Sequence, residues 1–135
     1  MLDFDTDDIL YEVLTGSAEL TNALSGDIYA GDRPDGSQKE DITVNTLAIP
    51  YDRIQSAVSN VNIHVPDLKV RIGGKEQYKK NRERLRELAS AVVSVLESAR
   101  VPNLLFWVGN QTTLREREIR QHYVNLRIEW NIHNV

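Results

Sequence analysis

The stretch HYVNLRIEWNIH, residues 122–133, sets the architecture of this chain. Its even positions read His122, Val124, Leu126, Ile128, Trp130 and Ile132; its odd positions read Tyr123, Asn125, Arg127, Glu129, Asn131 and His133. Side chains of a strand alternate between its two faces. The period of two therefore predicts one half-buried strand of about twelve residues, longer than the usual five or six. One apolar and one polar face indicate an antiparallel sheet covered on one side only.

Upstream of it, NLLFWVGN (103–110) reads as a short apolar strand ending in a Gly109-Asn110 turn, and TTLREREIRQ (112–121) as an exposed charged strand or loop. Over 75–100 the period becomes helical: Tyr78, Leu85, Leu88, Val92, Val95, Leu96 and Ala99 share one face, and Pro102 lies just beyond the end. SNVNIHV (59–65) sets Val61, Ile63 and Val65 against Asn60, Asn62 and His64 until Pro66 ends it. In EDITVNTLAI (40–49) the apolar phase slips between Ile42, Val44 and Leu47, Ile49. That slip predicts a β-bulge or bend near Asn45-Thr46, with Pro50 and Asp52 closing the strand.

DIYAG (27–31) is a short strand, and the residues before it form one or two short helices. Asp5 or Thr6 is placed to cap the first, with Ile9, Leu10, Val13 and Leu14 as its buried stripe. Ser17 can restart a helix whose apolar residues are Leu20, Ala23 and Leu24. The order α, β, β, β, α, β, β predicts an α+β fold in one domain, 1–135. It comprises a mostly antiparallel sheet, one long amphipathic helix packed across one face and a short N-terminal helical segment.

Composition removes several functions. The 135 residues contain no cysteine, which excludes disulfides, thiolate nucleophiles and cysteine-bound zinc. MLDFDTDDIL has neither the basic nor the apolar region of a signal peptide, and no apolar run is long enough to span a bilayer, so no membrane partner is expected. Charge is segregated: residues 1–41 hold 11 acids and 2 bases, net −9, while 42–135 hold 9 acids and 14 bases, net +5. Such a division suits subunits that meet a different neighbour on each side, and equally suits two halves that neutralise each other in the fold.

The candidate chemistry lies in IYAGDRPDGSQKEDITVNTLAI (28–49), whose loop carries Asp32, Asp35, Glu40 and Asp41. With Gly36 as the central glycine of an EF-hand, the earlier ligand positions fall on Gly31 and Arg33 and the distal glutamate position on Ile42, so the calcium pattern fails. Pro34-Asp35-Gly36 is instead a turn signal, and the loop is expected to protrude with its acids solvated. Gly73-Gly74-Lys75 lacks the first glycine and the Ser/Thr of a Walker A loop, since Lys69 and Glu76 hold those places. Glu118 and Glu129 precede His122 and His133 by four residues, but in strands that spacing is about 13 Å, too far to share a metal. His122 is expected as a hydrogen-bonded core or rim residue. No cofactor and no catalytic residue is expected, and the chain reads as a non-enzyme.

The basic cluster Lys69, Arg71, Lys75, Lys79, Lys80, Arg82, Arg84 and Arg86 opposes the dipole of a helix starting at 75, so helix stability alone does not explain it. It reads as a solvated face, or as a patch for phosphate or for the acidic third of a neighbouring copy.

The helices with LTNALSGDIYAGDRP, the strands ITVNTLAI and VNIHV, the long helix and the closing QHYVNLRIEWNI together resemble the bacteriophage tail completion and tail terminator proteins, relatives of head–tail joining and minor tail proteins. GDIYAGDRP and the closing His-aromatic-Val-x-Leu-Arg-Ile strand carry most of the likeness. The resemblance implies an α+β fold and a homo-oligomeric ring, commonly a hexamer. It further implies a structural task in the virion, assembled in the bacterial cytoplasm: ending tail-tube growth and joining the tail to the head connector. Interface candidates are then Asp32, Asp35 and Glu40 on the loop, Lys79, Lys80 and Arg82 at the start of the long helix, and Tyr123, Arg127 and Glu129 on the polar face of the last strand. The basic stretch exceeds what the family leads one to expect, which keeps open a DNA contact and, as the alternative, a nucleic-acid-binding module at 69–86. A metal-dependent hydrolase centred on Asp32, Asp35 and Glu40 is the third reading.

Overall fold

A computed structural model describes residues 1–47, 49 and 54–133. Helices α1 (Asp3–Thr15) and α2 (Ala18–Ala23) lead into β1 (Ile28–Ala30), β2 (Asp41–Thr46) and β3 (Ile54–Pro66). A hairpin of β4 (Leu68–Ile72) and β5 (Lys75–Lys79) precedes α3 (Arg82–Ser98); β6 (Leu104–Glu116), a 3-10 turn (Arg117–Ile119) and β7 (Gln121–His133) follow. The five-stranded sheet runs β1-β2-β3-β7-β6, with β1 parallel to β2 and every other pair antiparallel. The fold is α+β, as the alternation of the last strand predicts.

Strand β7 organises the core. Val124, Leu126, Ile128, Trp130 and Ile132 are buried, beside Val61, Ile63 and Val65 of β3 and Ile42 and Val44 of β2. Leu85, Leu88, Val92 and Leu96 of α3 and Leu10 and Leu14 of α1 close the same cluster from above. α3 lies across β3, β7 and β6, and α1 covers the β1–β2 flank. The opposite face of the sheet is polar and carries an amide ladder in which Asn125 Nδ2 donates to Asn60 Oδ1 at 3.1 Å and Asn62 Oδ1 at 2.7 Å.

Five local expectations are corrected. The long helix starts at Arg82, not at residue 75, because Asn81 caps it by accepting from the Arg84 N–H at 3.2 Å. Residues 68–79 form instead a hairpin whose turn is Gly73-Gly74, both at positive φ (+58° and +78°), the geometry of the two-residue hairpin turns. Tyr78 therefore leaves the helix stripe and lies under the Arg120 guanidinium, 4.0 Å from its ring centroid. Helix α1 begins at Asp3, so Asp5 is no cap; its carboxylate reaches back to the Leu2 N–H at 2.8 Å.

Strand β2 pairs one-to-one with β3 through Thr46, without the expected bulge. The apolar phase slips because a polar residue, Thr46, continues the inward face. Its hydroxyl is 2.7 Å from Asp7 Oδ1 and 2.6 Å from Ser59 Oγ, which in turn accepts the Trp130 indole N–H at 2.8 Å. This chain satisfies hydroxyls under α1, where burial raises the Asp7 pKa. Pro50 and Asp52 lie outside the described residues. The irregularity falls on β6 instead: Gly109 is a bulge between Val108 and Asn110 rather than a turn, and β6 runs on to Glu116.

Gly26 shows how tightly the loop before β2 is closed. A Cβ built there would lie 1.9 Å from Asp41 Oδ1 and 2.6 Å from the Glu40 carbonyl oxygen. Gly26→Ala is expected to cost about 1–3 kcal/mol in urea unfolding, the usual range for overpacking.

Candidate functional site

The loop at 31–40 does not protrude as expected; it folds back over the polar face of the sheet, and Arg33 is the reason. Its side chain, 10 % exposed, meets Asp41, 1 % exposed, at Nη1–Oδ2 3.2 Å. Its Nη2 donates to Gln121 Oε1 at 2.7 Å and lies 3.5 Å from Glu116 Oε1. Ser37 Oγ and the Asp27 N–H complete the shell of Asp41 at 2.6 and 2.9 Å, and Gln121 Nε2 donates to the Ser37 carbonyl. The loop is thus laced to the start of β2, the end of β6 and the start of β7.

His64 lies against this cluster on β3. Its Nδ1 is 2.7 Å from Glu116 Oε1, its Nε2 3.2 Å from Thr43 Oγ1, and its ring packs on Tyr123 with centroids 5.1 Å apart. Hydroxyl, imidazole and carboxylate stand in the order used by nucleophilic catalysts. Thr43, however, is mid-strand and only 8 % exposed, so its hydroxyl offers no approach to a substrate carbonyl. Burial, and then the Arg33 cation, hold the His64 pKa below its ordinary 6.5. The unfolded chain takes up that proton more readily, so stability is full above about pH 6.5 and falls as the pH drops below it toward the folded value. Chemical unfolding at stepped pH between 7.5 and 5.5 is expected to show this slope in the natural chain and a flatter one in His64→Gln.

The residues singled out in the sequence separate into distinct places. Asp32 and Asp35 are exposed on the loop, and Asp35 borders a 590 Å³ depression shared with residues 115–119. Glu40 turns away from them and grips Arg84 of α3 with both oxygens, at 2.6 and 2.9 Å, while Arg84 also donates to the Ala23 carbonyl. The Arg84 pair holds the Glu40 pKa below the ordinary carboxylate value. Among the described residues, no three His, Cys, Asp or Glu side chains gather in a way that could hold a metal ion.

Lys79 is on the hairpin, Lys80 in the link and Arg82 at the first turn of α3. Lys80 and Arg82 line a groove of about 720 Å³ between α3 and β6. Lys79 faces Arg115, Arg117 and Arg120 across a smaller one of about 370 Å³. On the polar face of β7, Arg127 is exposed, Tyr123 packs on His64, and Glu129 accepts the Trp107 indole N–H at 3.0 Å. Gly109 makes that last bond possible, since a Cβ there would lie 2.3 Å from Glu129 Oε2. His122 is hydrogen-bonded at the rim, its Nδ1 2.6 Å from Asp67 Oδ1.

Sequence reasoning missed Arg33, Asp41, His64, Glu116 and Gln121 as a unit. The only local signal was a lone arginine inside an acidic loop. The sheet also leaves Leu105, Trp107 and Leu114 exposed on β6, which pairs with β7 on one side and forms the edge of the sheet on the other.

The architecture is that of a two-layer α+β protein with its helices on one face of the sheet and a polar sheet surface on the other. The same fold occurs in a chain of the virion of a native gene transfer agent particle, at TM-score 0.55 and 12 % identity, over 93 % of this chain and 92 % of that one. No family model matches the sequence, and no curated protein matches it either.

Proposed function

We propose that this protein is a non-enzymatic structural component of a phage-like particle: a tail terminator that forms a homo-oligomeric ring, commonly a hexamer in the proteins it resembles. The observation that carries the reading is the likeness of fold, end to end, to a chain of a gene transfer agent virion. The resemblance of GDIYAGDRP and of the closing strand to tail terminators points the same way. In this reading the ring ends tail-tube growth and meets the head connector, through surfaces that include Asp32, Asp35, Lys79, Lys80, Arg82, Tyr123, Arg127 and Glu129. Glu40, already gripping Arg84, acts by fixing the loop on α3. The protein resides in the virion and assembles in the bacterial cytoplasm.

Deleting the gene from its parent element and imaging the particles by electron microscopy tests the proposal. Overlong tails, or heads and tails left unjoined, are expected; normal joined particles would contradict it. One observation favours a second reading, in which the chain contacts DNA: Lys79, Arg115, Arg117 and Arg120 converge around one depression. Phosphate contact there requires binding that weakens steeply with salt, with a shallower slope once Lys79, Arg115 and Arg117 are neutralised.

A further inference from the structure

The β4–β5 hairpin has no core of its own. Leu68, Val70 and Ile72 alternate onto one face, where the register sets Lys79, Gln77 and Lys75 opposite them. Leu68 is 46 % and Ile72 50 % exposed. A two-stranded hairpin is marginal in water unless something packs on it. Residues 68–80 carry five Lys or Arg and one Glu, net +4, and Lys69 spends part of that charge on Glu76 at 3.4 Å.

The complementary surface is on α1. This helix has five acids and no base. Its buried residues Thr6, Leu10 and Leu14 define the inner face, so Phe4, Asp8, Tyr11 and Glu12 share the outer one. Phe4 is 72 % and Tyr11 38 % exposed. An apolar row ending in two lysines thus has a counterpart in two exposed aromatics flanked by carboxylates.

The two surfaces stand on opposite flanks of the sheet. α1 lies over β1 and β2. The base of the hairpin is fastened where β6 meets β7, by the Asp67 N–H on the Arg120 carbonyl, by Asp67 on His122 and by Tyr78 under Arg120. Two different patches on different flanks make a head-to-tail contact, which closes into a ring where the rotation between copies allows it rather than pairing two-fold.

We infer that the Leu68, Val70 and Ile72 face of the hairpin docks on the Phe4, Asp8, Tyr11 and Glu12 face of α1 in the next copy of this chain. This rests on the ring-forming reading above. The test is assembly of the full-length chain, by light scattering and electron microscopy with and without tail tubes from the parent particle. The variants are Lys75→Glu with Lys79→Glu, Asp8→Lys with Glu12→Lys, and all four together, each checked for native circular dichroism. Either pair alone is expected to weaken assembly by about tenfold or more, since like charges then face each other, and the fourfold variant to restore it. Because the chain has no cysteine, Ile72→Cys with Tyr11→Cys adds a second readout: a ladder of disulfide-linked multimers, where either single change gives dimers at most. If the natural chain assembles and the charge swaps neither weaken nor restore it, and no ladder forms, the docking is wrong and the ring reading stands. If the natural chain never assembles, both fall.

Discussion

Trp130→Ala is expected to lower the unfolding free energy by about 3–5 kcal/mol, the range for removing a large aromatic from a packed core. Trp130 is 2 % exposed, stacks at a tilt on Phe106 with centroids 4.9 Å apart, and donates its indole N–H to Ser59. The change opens a cavity on the core face of β7 beside Phe106 and leaves the Ser59–Thr46–Asp7 chain without the indole donor. Since domains of this size hold roughly 5–15 kcal/mol in all, the loss would consume a large share. Urea unfolding is the check, with the midpoint falling and the slope unchanged. Trp130→Phe, which keeps a ring and removes the N–H, is expected to cost much less. Equal losses in the two variants would mean that the hydrogen bond, not the packing, dominates.

Arg33→Met is expected to cost about 3–5 kcal/mol, because it keeps the volume of the stem and strands the carboxylate of Asp41. Most of that loss is the uncompensated charge, so Arg33→Met with Asp41→Asn is expected to recover a large part of it. The two contributions separate in a double-mutant cycle. The same change removes a cation that depresses the His64 pKa, so the His64 titration followed by NMR is expected to move upward in Arg33→Met. A destabilised variant with an unmoved His64 would show that Arg33 acts through the loop backbone alone.

These residues also show where the sequence is readable and where it is not. β7 is legible because its alternation is unbroken over twelve positions and its inward residues from Val124 to Ile132 are all buried together. α3 is legible from Leu85 onward, where the apolar spacing is helical. Its start is misread because lysine, arginine, glutamate and glutamine are good helix formers, and the coreless hairpin imposes no apolar period that would contradict them. Only Gly73-Gly74 and Asn81 marked the boundary. The bulge assigned to β2 was a polar residue on a core face, which hydropathy alone does not reveal. The Arg33 cluster was hidden for another reason: Gln121 and Glu116 lie 88 and 83 positions away from Arg33, so only the fold brings them together. Its effect on reading the loop is large, since it turns an expected protrusion into a strap over the sheet.

The proposed function requires that this chain work as a ring of identical copies. The direct measurement is its molar mass by light scattering over a rising concentration series, alone and with tail tubes from the parent particle. A single discrete assembly, a whole-number multiple of the chain mass, is the predicted result. A chain that stays monomeric throughout, and does not bind the tubes, would contradict it.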